Sequence, residues 1–302
     1  MEESHLSNRR ASVIGATLIV CCLTTQTVVA KEDLARCNVP ADDPSRIAIA
    51  GGSITEVIYD LGAEDLILAV DLTSNYPPAA LQRPQVGYVR NLSAEGILSL
   101  GPTLVIGEDD MGPPAVVEQL RATGIEIRRL VEVHTAQGIL SKVRCIGTII
   151  DLSPDEIDAA IARLIPTLSS LAAVDNSTKP KVAFLFSLSD GVPTAAGAGT
   201  SAAGVIEMAG GHNVFGDFEG WKPVSLEAMA KSNPDYIIMP ARGLKNSGGL
   251  EAVLNHPAVR LTSAGMAKRV IAIDGMTLLG FGPRTLGAAV ELARTFGTLS
   301  PE

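Results

Sequence analysis

The chain has 302 residues, and its 24 Lys and Arg against 33 Asp and Glu give a formal net charge of -9. This acidic balance argues against nucleic-acid binding, because a phosphate backbone requires a cluster of Lys and Arg that the sequence does not contain. Hydrophobic residues make up 46% of the chain. A chain of this length and composition can form two domains, each with its own core.

Residues 1–30 are typical of a signal peptide. Two arginines precede an apolar run over residues 11–23, and the segment ends with the small residue Ala30. The run is shorter than the roughly 20 residues of a transmembrane helix. A lipoprotein is the alternative, with Cys21 as the lipidated residue, but Val20 is bulkier than the small residue expected there. We therefore expect export, with cleavage near Ala30.

Two cysteines remain in the mature chain, Cys37 and Cys145. An oxidising compartment would permit a disulfide bond between them. Two separate buried thiols are an equally good interpretation, because sequence separation does not define the distance between two Cα atoms.

Short apolar segments typical of strands alternate with helical patterns along the mature chain. The strand segments are residues 47–50, 67–70, 104–106, 125–130, 182–187, 236–239 and 270–273, and helical patterns cover residues 55–61 and 114–123. This alternation predicts βαβ units and largely parallel sheets.

A helix is predicted to connect the two halves. Ser153 is a suitable N-cap, Pro154 suits the first helical position, and apolar residues then recur at helical spacing as far as a polar break at residues 175–180. The expected organisation is a signal peptide (1–30), an N-terminal α/β lobe (31–150), a connecting helix (151–178) and a C-terminal α/β lobe (179–302). We expect two Rossmann-like lobes joined by a single long α-helix, which open only slightly around a ligand cleft.

The two halves contain related segments. Ser93, Glu95 and Pro102 in the first half match Ser225, Glu227 and Pro234 in the second with a constant offset of 132 residues. A second pair, residues 53–62 and 201–210, shares a Val-Ile dipeptide and a following glycine. The pattern predicts an internal repeat.

Glu95 and Glu227 fall in the first turn of the helices predicted after each serine. There the helix dipole favours carboxylates, so stabilisation of the helix is one explanation for them. The other is that one carboxylate from each lobe meets basic residues of a partner protein.

Tyr88 is predicted on a loop, after Gly87 and two residues before Arg90. Such loops line the ligand clefts of open α/β sheets. The tyrosine can simply pack or form a hydrogen bond, or it can bind iron as a phenolate. A phenol ionises only near pH 10 unless a cation or the metal assists it. Positions two apart on an extended loop point the same way, so Arg90 can supply that cation or pair with a carboxylate.

Several segments together resemble the periplasmic haem-binding proteins of bacterial haem ABC importers, which belong to the class III substrate-binding proteins. These segments are residues 51–56, 86–102, 197–200, 221–225 and 279–284. The block at residues 87–96 is more similar to haem binders than to the related siderophore and cobalamin binders.

The resemblance implies specific roles. The tyrosine that matches Tyr88 is the axial ligand of ferric haem in that family, and Glu95 and Glu227 match the pair that docks on arginines of the permease. Arg242 and Arg284 are candidates for binding the haem propionates, with surface salt bridges as their alternative role.

The resemblance also implies a periplasmic, non-enzymatic monomer that delivers haem to an ABC permease dimer with its ATPase subunits, after an outer-membrane haem receptor upstream. Some family members supply a histidine from the second lobe. Here the mature chain has only His134, His212 and His256, and a lone histidine is usually a surface or packing residue. We therefore expect Tyr88 to be the sole protein ligand.

Three alternatives remain. A siderophore or cobalamin binder of the same fold would keep Glu95 and Glu227 but would not need Tyr88. A zinc or manganese binder would need several histidines and acids that converge on one cleft. An exported α/β enzyme would need catalytic parts, and the sequence has no P-loop, G-x-S-x-G or H-E-x-x-H motif.

Overall fold

The computed structural model describes residues 36–188 and 192–300. The segment predicted to be a signal peptide, residues 1–30, lies outside the described residues. Among the helices in the described ranges, none is long and apolar enough to cross a membrane.

The first lobe is built on a sheet of four parallel strands in the order β2-β1-β5-β6, with a separate hairpin of β3 and β4. Its strands are β1 (Ile47–Ala50), β2 (Ile67–Ala69), β3 (Gly87–Tyr88), β4 (Asn91–Leu92), β5 (Leu104–Glu108) and β6 (Glu126–Leu130). Its helices are α1 (Gly52–Asp60), α2 (Ala94–Ser99), α3 (Pro114–Ala122) and α4 (Ala136–Ile149), with short 3-10 helices at Glu64–Leu66 and Pro78–Gln82.

Both faces of this sheet are buried, and each faces a different set of helices. Ile47 and Ile49 of β1 pack with apolar residues of α1 and α4, whereas Ala48 and Ala50 pack on the side of α3. Successive side chains of a strand point to opposite faces. The continuous apolar run therefore gives a central strand covered by helices on both sides.

The connection between the lobes differs from the single long helix expected. It consists of two helices, α5 (Pro154–Ala162) and α6 (Ile165–Ala172). Ser153 caps α5 as predicted, in a reciprocal arrangement with Glu156. The break follows from Pro166, which has no N–H to donate to the preceding turn and whose ring clashes with the carbonyl four residues earlier. The helical spacing of apolar residues continues through the break, so the sequence pattern alone predicts one helix.

The second lobe repeats the strand order of the first. Its strands are β7 (Lys181–Ser187), β8 (Thr194–Ala196), β9 (His212–Asn213), β10 (Trp221–Pro223), β11 (Tyr236–Pro240) and β12 (Val270–Ile273). Its helices are α7 (Ser201–Met208), α8 (Leu226–Ser232), α9 (Ala241–Asn246), α10 (Leu250–Asn255), α11 (Ser263–Met266), α12 (Gly275–Leu279) and α13 (Pro283–Phe296).

The parallel strands β9-β7-β11-β12 correspond to β2-β1-β5-β6, and β8 and β10 extend the second sheet with antiparallel strands. Each of the seven predicted strand segments overlaps a parallel strand of one of the two sheets. The two pairs of related sequence segments form equivalent helices, α1 with α7 and α2 with α8. The predicted two-lobed α/β fold with an internal repeat is therefore confirmed.

The segment at residues 36–40 is held against the first lobe by a disulfide bond and hydrogen bonds. Cys37 and Cys145 form a disulfide bond, with their Cα atoms 4.4 Å apart, so the structure decides between the two interpretations of these cysteines. The buried guanidinium of Arg128 donates to the carbonyls of Arg36 and Pro40 at 2.7 and 3.0 Å. Covalent and polar contacts together hold this segment against α4 and β6.

The two lobes also touch through a packed seam. Phe281, at the start of the segment that leads into α13, is buried together with Ile139 of α4 and Leu286 of α13. Helix α13 packs against α1 of the first lobe and α6 of the connector. The seam limits the relative motion that the connecting helices alone would permit.

Candidate ligand cleft between the two lobes

The carboxyl ends of the parallel strands in both lobes meet at the seam. Gly52 follows β1, and Met276 follows β12. The two residues are in close contact, because a Cβ atom added to Gly52 would lie 2.7 Å from Met276 Cε. The guanidinium carbon of Arg284 lies 3.8 Å from the ring centroid of Tyr76 in the segment after β2. Open α/β sheets bind ligands beyond the carboxyl ends of their strands. The edge beside this seam is therefore the candidate cleft.

Tyr88 lies at this edge in a short hairpin rather than in an irregular loop. The hairpin pairs β3 with β4 through a two-residue turn formed by Val89 and Arg90. The backbone N–H of Leu72, just after β2, donates to the carbonyl of Gly87 at 2.8 Å. Tyr88 is 40% exposed, so a ligand in solution can reach it.

A buried aspartate fixes the hairpin. The carboxylate of Asp71, which is fully buried, accepts backbone N–H groups from Gly51, Thr73 and Val89 at 3.1, 3.0 and 3.2 Å. Val89 lies between Tyr88 and Arg90, so this contact anchors both residues. Sequence reasoning missed Asp71. The available signal was an acid directly after a strand in an Asp-x-Thr pattern, which favours local hydrogen bonds to the backbone.

Arg90 connects Tyr88 to an acidic residue of the turn after β5. Its Nη1 donates to the Tyr88 hydroxyl at 2.6 Å, and its Nη2 pairs with the carboxylate of Asp110. Burial lowers the pKa of Arg90, but Asp110 and Tyr88 raise it by more, so the pKa of this guanidinium lies above its ordinary value. Of the two contacts considered for Arg90, one with the Tyr88 oxygen and one with a carboxylate, both are present.

Two glutamates at the ends of β5 and β6 lie in a poorly solvated environment. Burial, with a contribution from the nearby Glu132 carboxylate, raises the pKa of Glu108 to about 8, although Lys142 opposes the shift. Burial likewise raises the pKa of Glu132, against the lowering effect of Lys142. A Cβ atom on Gly51 would lie 2.8 Å from the Glu108 side chain, so Glu108 packs directly over the end of β1.

Lys142 carries the polar network across the seam. Its buried Nζ donates to Glu132 Oε2 at 2.7 Å, to Ser53 Oγ at 2.9 Å and to the carbonyl of Phe281 in the second lobe at 3.0 Å. Sequence reasoning missed this lysine, which appears as an ordinary polar residue in an amphipathic helix.

Arg284 lies at the seam rather than on a free surface. Its Nε donates to Glu56 Oε2 at 2.7 Å, its backbone N–H to Glu56 Oε1 at 2.8 Å, and its Nη1 to Thr277 Oγ1 at 2.9 Å. Glu56 is only 4% exposed. A charged group of the second lobe thus neutralises a buried carboxylate of the first lobe.

Arg242 and the two glutamates of the internal repeat, Glu95 and Glu227, occupy exposed positions. Arg242 is exposed in the first turn of α9, directly after the carboxyl end of β11. Glu95 and Glu227 are exposed in the first turns of α2 and α8. Ser93 caps α2 by accepting the N–H of Gly96 at 3.0 Å, and Ser225 caps α8 by accepting that of Ala228 at 3.1 Å.

Exposed apolar side chains also line the carboxyl edge. In the second lobe Phe186, near the end of β7, is 48% exposed and its ring lies 5.5 Å from that of Trp221, which is 40% exposed. In the first lobe Leu72 and Val131 follow β2 and β6 and are 56% and 48% exposed. Exposed apolar groups gathered at a cleft indicate a binding site. Sequence reasoning did not single out Phe186.

The histidines take other positions. His212 lies in β9 beside Lys181, the first residue of β7, where two cavities of about 330 and 530 Å³ both include it in their walls. This is the amino edge of the sheet, opposite the cleft edge.

The His134 ring packs 4.9 Å from Phe281, and His256 Nδ1 accepts the N–H of Ala258 at 3.2 Å. Within residues 36–188 and 192–300, no group of three or more His, Cys, Asp and Glu side chains is arranged to hold a metal ion.

The family model described as periplasmic binding protein matches residues 47–277. The chain belongs to this family. Among solved structures, the periplasmic haem-binding protein RhuT from Roseiflexus sp. RS-1 is 34% identical, with 83% of this chain and 97% of that chain covered and a TM-score of 0.76. The haem-binding protein HutB of Vibrio cholerae is 35% identical, with 84% and 99% covered and the same TM-score. The vitamin B12-binding protein of Photorhabdus laumondii is 27% identical over 257 residues, 83% of this chain and 87% of that protein.

The resemblance to class III substrate-binding proteins and the two-lobed fold are confirmed. The family consists of periplasmic substrate-binding components of importers, so a permease is the partner that family membership implies.

Proposed function

We propose that this periplasmic binding protein binds haem in the cleft between its lobes and delivers it to an ABC permease with its ATPase subunits. The observation that carries the proposal is the position of Tyr88 at the carboxyl edge, where the residue is exposed and its hydroxyl accepts a hydrogen bond from Arg90 Nη1 at 2.6 Å. The similarity to RhuT and HutB, both described as haem-binding, supports haem as the cargo.

Tyr88 and Arg90 have the chemistry that ferric haem requires. A phenolate oxygen is a known axial ligand of haem iron, and Tyr88 must lose its proton to act as one. The Arg90 guanidinium already donates to this oxygen. It can continue to donate after the proton has left for solvent, and its positive charge then stabilises the phenolate.

The apolar groups of both lobes suit the faces of a flat porphyrin ring. Phe186 and Trp221 form an aromatic pair on the second lobe, and Leu72 and Val131 present aliphatic surface on the first. Binding sites for ligands of this kind combine mostly apolar walls with a few polar groups. We assign the faces of the ring to these residues.

The propionates require cations at the same edge. Exposed Arg242 is the stronger candidate, because it can turn towards a carboxylate without leaving a buried partner. The guanidinium of Arg284 is engaged by Glu56 and Thr277, so a propionate would have to share it. Arg90 would remain with Tyr88 and Asp110.

Glu95 and Glu227 suit docking on the permease. They occupy equivalent first-turn positions in the two lobes, and both are exposed. One carboxylate from each lobe would meet basic residues of each half of a permease dimer. If the permease separates the lobes, water enters the cleft and the support for the Tyr88–iron bond weakens. An outer-membrane haem receptor upstream would supply the cargo.

Cobalamin is the second candidate cargo, because the curated relatives include a vitamin B12-binding protein at 27% identity. Titration of the purified protein with hemin and, separately, with cyanocobalamin distinguishes the two. The proposal predicts saturable binding of hemin and no comparable binding of cyanocobalamin. Preferential binding of cyanocobalamin would contradict haem as the cargo and leave the transport class intact.

A further inference from the structure

Asp110 is held next to the Tyr88 hairpin by backbone hydrogen bonds. The N–H of Met111 donates to the carbonyl of Glu108 at 3.0 Å, which closes a turn around Asp110 directly after β5. The next residue, Gly112, donates its N–H to Val89 at 2.9 Å and accepts that of Leu92 at 2.8 Å. The turn that carries Asp110 and the turn that carries Arg90 are therefore fixed against each other.

Arg90 bridges two oxygen groups through its two Nη atoms. Nη1 donates to the Tyr88 hydroxyl, and Nη2 pairs with the Asp110 carboxylate. The side chains of Arg90 and Asp110 are 53% and 45% exposed. A long side chain that is half exposed loses rotamer freedom when it is held in one geometry. Asp110 limits that freedom at the far end of the guanidinium.

We propose that Asp110 is a positioning residue that holds Arg90 in the orientation needed to support the Tyr88 phenolate when haem binds. The proposal rests on the proposed role of Tyr88 as the iron ligand. Because both side chains are about half exposed, water screens the ion pair in the ligand-free protein. A haem placed over Tyr88 would exclude that water, and the interaction between the two charges strengthens as the local dielectric falls.

The negative charge of Asp110 also has an effect that would lower the affinity for hemin. A carboxylate near a phenolate repels it, and Asp110 also offsets part of the positive charge of Arg90. If positioning dominates, removal of the carboxylate weakens hemin binding. If the charge alone matters, its removal strengthens hemin binding. The sign of the change therefore separates the two roles.

A double-mutant cycle tests whether Asp110 acts through Arg90. Hemin affinity is measured for the wild type, Asp110→Asn, Arg90→Leu and the double variant, with Asp109→Asn as the matched control. We expect Asp110→Asn to weaken hemin binding roughly 5- to 10-fold, Asp109→Asn to leave it within about twofold, and Asp110→Asn to have no further effect once Arg90 is leucine. An equal effect of Asp110→Asn with and without Arg90, tighter binding, or no change would overturn the proposal.

A measurement on the ligand-free protein separates this proposal from the haem assignment. Side-chain NMR of Arg90 reports how freely its guanidinium rotates and exchanges protons. We expect the Arg90 signals to be restricted in the wild type and Asp109→Asn, and averaged in Asp110→Asn. An equally restricted Arg90 in Asp110→Asn would overturn the positioning role, whatever the hemin titrations give. Absence of hemin binding by the wild type would overturn the proposed function and, with it, the role of Asp110 in supporting a ligand.

Discussion

Tyr88 is supported by one contact with a near neighbour in the chain and by others that come from distant segments. Tyr88 and Arg90 are two residues apart, and their contact follows from local geometry. Asp71 reaches Val89 across 18 residues, and Asp110 reaches Arg90 from the turn after β5. Such contacts depend on the order of strands in the sheet, which hydrophobic patterns do not specify.

Glu108 makes stability dependent on pH. Burial raises its pKa from the ordinary value of 4.5 to about 8. A carboxyl whose pKa is raised by folding contributes stability that is fully present below its unfolded pKa and is lost as the pH rises through its folded pKa. We expect Glu108→Gln to reduce the loss of unfolding free energy between pH 5 and pH 9 by on the order of 4 kcal/mol.

Chemical denaturation at a series of pH values measures this effect. Glu251→Gln, which changes an exposed glutamate in the first turn of α10, is the control and should retain the wild-type profile. A Glu108→Gln profile parallel to that of the wild type would show that Glu108 is already ionised at neutral pH in the folded protein.

At the scale of the elements, the strands and helix starts follow from the sequence because periodicity and capping are local. Ser153, Ser93 and Ser225 all cap helices where the patterns place them. The connector is the exception. Its apolar spacing continues through Pro166, so periodicity favours one helix while the proline requires two. The short strands β8 and β10 have no pattern of their own and depend on the sheet edge beside them.

The disulfide bond fastens the N-terminal segment to α4. Cys37 and Cys145 are separated by 108 residues, and the bond restricts the unfolded chain over that length. We expect the double variant Cys37→Ser, Cys145→Ser to lose about 3 kcal/mol of unfolding free energy, measured by chemical denaturation. Reduction of the wild type should give a similar loss. A wild type whose stability does not respond to a reductant would contradict a stabilising disulfide.

The first turns of α2 and α8 carry the proposed docking carboxylates. We expect the double variant Glu95→Ala, Glu227→Ala to bind hemin as the wild type does but to fail to stimulate transport by the permease in proteoliposomes. Glu251→Ala, at an equivalent exposed first-turn position of α10, is the matched control and should support normal transport. Normal transport by the double variant would exclude docking through this pair.

At the scale of the whole molecule, the internal repeat places equivalent edges of two lobes at one seam, and buried charges fix the lobes there. The repeat is visible in the sequence because the capping serines and prolines keep their spacing. The seam is not visible. Glu56 and Arg284 are 228 residues apart, and only the folded chain shows that an arginine considered for a propionate or a surface salt bridge balances a buried carboxylate.

Substitution of the two arginines considered for the propionates, Arg284 and Arg242, should therefore have different effects on the free energy of unfolding. Arg284→Ala leaves Glu56 buried without its cation, which costs about 3–5 kcal/mol of unfolding free energy in the ligand-free protein. Arg242→Ala changes an exposed side chain and should alter stability by less than about 0.5 kcal/mol while weakening hemin binding. Denaturation and hemin titration of both variants test this. Equal stabilities would contradict the structural role of Arg284, and unchanged hemin affinity in Arg242→Ala would remove it from the site.

In the proposed function, Tyr88 is the residue that binds haem iron in the cleft. The most direct measurement is the visible spectrum of the hemin complex of the wild type compared with Tyr88→Phe, with Tyr59→Phe as a control, because Tyr59 packs against the core of the first lobe. We predict a tyrosinate-to-iron charge-transfer band in the wild type and in Tyr59→Phe that is lost in Tyr88→Phe. The same hemin spectrum in Tyr88→Phe as in the wild type would show that Tyr88 is not the iron ligand.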